Sequence, residues 1–184
     1  MFNLRNSLFS CLAIATLAGV SLYDNRPTEA KPVGNVAQAS TVAATTSTKP
    51  VKVFFPTSRS QQDFSYVAPV VRRTQTQGVA QFAIEQLVAG PTSQERQQGF
   101  RAPLNLQGSS NCGRDFKLVV STGVAKLQFC KQVVSNGIGD DARIKSSITT
   151  TLKQFPSINS VVLLDRNGNC LNDQSGNNRC LQQG

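Results

Sequence analysis

Four cysteines, Cys112, Cys130, Cys170 and Cys180, fall in the C-terminal half of this 184-residue chain, and they restrict its fold more than any other feature. No CxxC spacing occurs, so neither a thioredoxin-like redox pair nor a zinc knuckle is suggested. An even set of cysteines reads instead as a disulfide framework, if the chain reaches an oxidising compartment. Four cysteines allow three connectivities, and the local pattern chooses among them. Cys112 and Cys130 lie near the open end of a hairpin, in which Phe116–Val120 and Val124–Cys130 flank Ser121-Thr122-Gly123. Alternate residues of each strand are apolar (Phe116, Leu118, Val120; Ala125, Leu127, Phe129), giving one core-facing side. Cys180 lies in a polar tail that can fold back onto Cys170. The expected pairs are therefore Cys112–Cys130 and Cys170–Cys180.

The N-terminus reads as an export signal. Arg5 precedes an apolar run from Leu8 to Val20, the length of a signal-peptide core and short of the roughly 20 residues a membrane span needs. Residues 1–23 are thus a signal peptide or an N-terminal anchor, with Gly19-Val20-Ser21 and Ala30 as candidate cleavage positions. Cys11 follows bulky Phe9 and too little apolar sequence to suit lipid attachment. Residues 24–50 are an aperiodic Ala/Thr/Ser/Pro linker with no large side chains to bury, and disorder is expected there. Residues 51–184 form one folded domain. The expected location is outside the cytoplasm: periplasm, cell surface or secreted.

Within that domain, Val51–Phe55 is a short extended run stopped by Pro56. A second, Tyr66–Arg73, contains Pro69 and therefore reads as an edge or broken strand. A helix is predicted from Thr76 to Ala89, with Gln77, Gln81 and Glu85 on its polar side. Gly90-Pro91 stops it, and Thr92-Ser93-Gln94-Glu95 has capping-box spacing for a short helical turn that Gly99 ends. A second helix is predicted from about Asp140, whose carboxylate would cap it, with Ile144, Ile148, Leu152 and Phe155 as its apolar stripe. Pro156 stops that helix. Ser160–Asp165 is a buried strand, followed by the hairpin-turn signal Asn167-Gly168.

The chain has no histidine, which excludes a Ser-His-Asp triad, a Cys-His pair, an imidazole base and histidine-ligated zinc. It has no tryptophan and two tyrosines, so platforms for stacking bases are scarce. The net charge of +9 is diffuse, with Arg72-Arg73 its only adjacent basic pair, which argues against nucleic acid. Outside the cytoplasm, such a field would attract anionic wall polymers, polysaccharides or lipid headgroups, which gives a charge-steered carbohydrate- or peptidoglycan-binding module as the alternative function, or would serve solubility alone. Gly137-Ile138-Gly139-Asp140-Asp141-Ala142 imitates a dinucleotide loop, but its two carboxylates would repel a pyrophosphate. Asp165 to Asp173 imitates a calcium loop, yet Cys170 stands where the loop needs glycine and Gly176 where it needs glutamate. Glu85 and Glu95, the only glutamates of the folded part, have structural explanations that leave no acid–base pair for glycan hydrolysis. No catalytic residue, metal ligand or cofactor is assigned.

Leu87-Val88-Ala89-Gly90-Pro91-Thr92, with Glu95 after it, resembles the LL-x-GPT signature of the GerMN domain family, found in bacterial sporulation and germination proteins and in exported lipoproteins. Val53-Phe54-Phe55, the Gly123 hairpin, Thr151-Leu152-Lys153-Gln154-Phe155-Pro156 and Val161–Gly168 follow the family order, over roughly Val51 to Leu171. Ala102–Gly113 departs from the family's IP-x-GT form, and the cysteines look like additions of an exported subtype. Only one copy of the domain fits, so a sporulation role does not carry over. The resemblance implies an α+β fold: a small mixed or antiparallel sheet with two main helices packed on it, similar to ring-building modules of secretion assemblies. It implies a binding or scaffolding role without catalysis. The candidate surface is Gly90, Pro91, Thr92 and Glu95 with Arg72, Arg73 and the edge strand from Tyr66. The expected partners are an envelope protein or an anionic wall polymer, with self-assembly as a further route, and membrane contact only through the N-terminus.

Overall fold

The structure, a computed structural model, describes residues 47–183; the expected leader and almost all of the linker lie outside them. Val51, Val53 and Phe55 alternate with outward residues and form the buried side of strand β1 (Lys49–Phe55), which starts at Lys49 rather than Val51. It pairs antiparallel with β2 (Ala68–Thr74) as a separate two-stranded ribbon. Helix α1 (Val79–Ala89) starts later than Thr76 because Thr76 Oγ1 accepts the Gly78 N–H, holding that segment in a turn. Helix α2 (Ser93–Gln97) follows directly. Two short strands that periodicity could not show, β3 (Leu106–Gln107) and β6 (Gln132–Val133), pair with each other.

The hairpin is β4 (Phe116–Ser121) and β5 (Val124–Phe129), closed by Thr122-Gly123. Helix α3 (Ile138–Lys153) then provides the crossover that lets β7 (Ser160–Leu164) run parallel to β5, so β5 is the central strand of a mixed three-stranded sheet. The fold is α+β, with three α-helices and small antiparallel and mixed sheets among the described residues. Phe55, Ile84, Leu87, Leu127, Phe129, Ile148 and Leu152 are fully buried between sheets and helices.

Two expectations need correction. Val120 does not join the core-facing set: it is 42% exposed, at the turn end of a sheet-edge strand. Asp140 does not cap α3 from outside. Gly137 is the N-cap, and Asp140 sits in the first turn, where its carboxylate reaches back to accept the Asn136 backbone and side-chain N–H groups. Cys112 and Cys130 are joined with a Cα separation of 5.7 Å, Cys170 and Cys180 with one of 5.9 Å. No helix among the described residues is long and apolar enough to cross a membrane.

Candidate functional site

The Gly90-Pro91-Thr92 corner is a joint between α1 and α2. Gly90 has φ 78° and ψ −177°, a conformation L-residues rarely adopt, and a Cβ there would stand 3.3 Å from Ala102 Cβ. Pro91 is buried. Thr92 Oγ1 accepts the Glu95 N–H at 3.3 Å, and Glu95 Oε2 accepts the Thr92 N–H at 2.8 Å, a complete capping box.

Arg72 closes the arrangement from the neighbouring strand. Its Nη1 and Nη2 donate to Glu95 Oε1 and Oε2, with side-chain exposures of only 15% and 14%. The Arg72 hydrogen bond, opposed by partial burial and assisted by the Thr92 N–H, pulls the Glu95 carboxyl down to about 2. Register explains why Arg73 takes no part: Arg72 pairs with Val51 on the buried side of the ribbon, and Arg73 points to the exposed side. Of the six candidate surface residues, the structure thus brings together Arg72, Thr92 and Glu95, with Glu95 bonded to both of the others. Their polar groups brace the corner.

A cleft of about 260 Å³ opens behind that corner, where Ala102 contacts the Gly90 position. Its walls come from Pro56–Gln61, Arg101–Asn105, Val134–Asn136 and the start of α3, with Arg101 and Arg143 among its lining residues. Arg143 stacks over Phe64 at 4.9 Å and lies 3.3 Å from Asp140 Oδ1. The hydrogen bonds from Asn136, reinforced by Arg143, hold the Asp140 carboxyl below its usual range. No sequence motif marks this cleft, because its residues come from four separated segments.

A second surface was equally unmarked. The Cys130 N–H donates to Asp115 O at 2.8 Å, so that pair and every second pair after it exchange the ladder hydrogen bonds. The backbone groups of Phe116, Leu118 and Val120 therefore point away from β5, along the open edge of the sheet. Val119 and Val120 are 60% and 42% exposed there. Beside them runs an apolar groove of about 480 Å³ lined by Val79, Ala80, Leu118, Phe155 and Ile158.

The two edges of the β1–β2 ribbon are less open. Phe54 N–H donates to Thr151 Oγ1 at 3.0 Å and Lys52 N–H to Gln154 Oε1 at 2.9 Å, so α3 covers β1. On β2, Pro69 removes one of the outward donors.

The carboxylates of the calcium-like loop are occupied by the chain itself, whereas Asp141 Oδ1, in the dinucleotide-like segment, is buried without a hydrogen-bond partner. Asp165 Oδ1 accepts the Asn167 and Asn169 N–H groups, and Asp173 accepts those of Ser175 and Asn178. Among the described residues no three His, Cys, Asp or Glu side chains are grouped to hold a metal ion.

Comparison with known proteins agrees with the signature at the corner. The sequence profile of the Germane family, described as sporulation and spore germination, matches residues 52–171. The tandem GerMN domains of the sporulation protein GerM from Bacillus subtilis share 25% identity with a TM-score of 0.46, over 68% of this chain and 41% of that one. The first GerMN domain of the same protein shares 25% identity with a TM-score of 0.44, over 67% of this chain and 86% of that one. The chain therefore spans less than half of the tandem structure it matches. No curated protein matches. With most of the folded part matched by the profile, the chain belongs to the GerMN (Germane) family of sporulation and spore-germination domains.

Proposed function

We propose that the protein is an exported, non-catalytic domain of the cell envelope that binds or scaffolds an extended protein segment along β4. The observation that carries this reading is the contrast among edges. β1 is covered by α3 and Pro69 removes one outward donor of β2, whereas β4 presents outward N–H and C=O groups beside an apolar groove. A partner strand added there would complete the ladder through main-chain hydrogen bonds and place alternate side chains in the groove. Two disulfides support an oxidising location.

The test is a photo-crosslinking side chain at Val119 in intact cells, with Val71 as the control position. A discrete adduct from position 119, lost in Val120→Pro, is expected, because that substitution removes an outward donor without touching the β4–β5 ladder. Equal labelling from position 71, or an adduct that Val120→Pro leaves intact, would refute docking at this edge.

The charge of +9 supports a second reading, salt-sensitive retention on anionic wall polymers. Retention on purified wall material that persists unchanged into high salt would count against it.

A further inference from the structure

We propose that the cleft between the Pro56–Gln61 turn, the Arg101–Asn105 segment and the start of α3 binds an anionic sugar unit. Arg101 and Arg143 would grip its carboxylate or phosphate. The site is separate from the β4 edge; it deepens the wall-polymer reading and rests on it for the source of the ligand.

Charge is the first argument. Two arginines and one aspartate are among the residues that line the cleft, leaving it net positive. The carboxylate, Asp140, is largely occupied: Oδ2 accepts both Asn136 donors, and Oδ1 lies 3.3 Å from Arg143, long for a charge-assisted bond. Arg143 therefore keeps donors for a ligand. Arg101 is exposed and has no acidic partner among the described residues. Guanidinium forks match planar oxyanions in a way that point charges do not.

Preorganisation is the second. The Arg101 N–H is tied to Pro56 O at 2.9 Å, and Asn105 O accepts the Val134 N–H at 2.9 Å, so the wall carrying Arg101 is fixed at both ends. Arg143 is seated over the Phe64 ring, close against Gly139, which has no side chain to crowd it. A Cβ at Gly139 would come within 3.0 Å of Arg143 Nη1 and 3.4 Å of the ring.

Size and lining narrow the class. A volume of about 260 Å³ lies below the usual range of drug-sized pockets, so it holds one sugar unit and leaves the rest of a polymer outside. Thr57, Gln61, Asn105 and Asn136 offer uncharged partners for hydroxyl groups, and Pro103 with Leu104 offers an apolar wall for a C–H face.

Calorimetric titration of the disulfide-intact protein tests this, with glucuronic acid, glucose 6-phosphate, glucose and inorganic phosphate as probes in low salt. Binding of at least one anionic sugar, none of glucose, and a loss of tenfold or more in Arg101→Ala are expected. The two sugars distinguish a carboxylated from a phosphorylated source. Gly139→Ala should weaken binding likewise through Arg143, while melting no earlier than the parent by more than a few degrees. If Arg143→Ala fails to fold, the exposed Arg101 variant decides alone. Absence of binding by both anionic sugars, unchanged binding in Arg101→Ala, or phosphate binding as tightly as glucose 6-phosphate would overturn the proposal. Salt-sensitive wall retention that Arg101→Ala leaves intact would overturn the site and spare the wall-polymer reading.

Discussion

Arg72 Nη1 and Nη2 lie 2.6 and 2.7 Å from the two carboxylate oxygens of Glu95, so a bidentate ion pair ties β2 to α2 across the corner that carries the family signature. Because Arg72 holds the folded Glu95 carboxyl at about 2, against 4.5 ordinarily, its contribution to stability is complete above pH 4.5 and lost as pH falls through 2. Glu95→Gln should therefore be less stable than the parent by on the order of 2 kcal/mol at pH 6, the two converging near pH 2. Urea denaturation across that range checks it. Asp63, Asp140 and Asp173 are also held low, so both proteins weaken in acid and only the difference isolates Glu95. Parallel curves would show that the pair contributes nothing net.

Gly90→Ala should destabilise by about 1–3 kcal/mol, from the cost of its backbone conformation together with the 3.3 Å approach to Ala102. Adding Ala102→Gly removes the close contact and leaves the backbone cost. The double variant should recover part of the loss in chemical denaturation. Full recovery would mean that crowding, and not the backbone, requires the glycine.

Much of this architecture was legible because it is periodic or local. Ile144, Ile148 and Leu152 repeat at helical spacing and are all buried, and Thr92 with Glu95 forms the box their spacing announces. What the sequence could not show depends on register and on segments distant in the chain. Whether Arg72 or Arg73 reaches Glu95 is decided by pairing with Val51. Asp140 looked like a cap because nothing local places the helix start at Ile138. Val120 alternates like a core residue, yet it stands 42% exposed beside an open groove on the edge strand. The cleft joins four segments, none with a pattern of its own, and two-residue strands such as β3 and β6 are too short to have one.

Each disulfide should contribute about 3 kcal/mol, since the bridged separations of 18 and 10 residues give similar loop-closure entropies. Replacing Cys112 and Cys130 together by serine, or Cys170 and Cys180 together, should lower the urea midpoint by comparable amounts. The consequences differ in place. The first bridge anchors the open end of the β4–β5 hairpin, so its loss should accelerate amide exchange in both strands. The second holds the tail against β7, where the Cys170 N–H also donates to Asn178 Oδ1, so its loss should confine faster exchange to residues 170–183. Hydrogen exchange read by mass spectrometry separates these outcomes. Uniform exchange increases in both variants would contradict the local assignment.

Ser147→Ala should raise stability, an unusual expectation for a change at a fully buried position. Ser147 lies in α3 with no exposed surface, and its Oγ is buried without a hydrogen-bond partner. Burying an unsatisfied hydroxyl costs about 1–3 kcal/mol, and the smaller alanine leaves little void because only one oxygen is lost. Alanine is also the better helix former by about 0.5 kcal/mol. A gain of about 1 kcal/mol in chemical denaturation is expected, with unchanged near-ultraviolet dichroism. A loss of similar size would mean that the hydroxyl is satisfied in solution, by a rotation toward the carbonyl one helical turn earlier or by a buried water. Ser147→Cys checks whether the hydroxyl is satisfied at all: a thiol fills the space but bonds weakly, so it should track alanine if the void is dry and fall below serine if a hydrogen bond is being made.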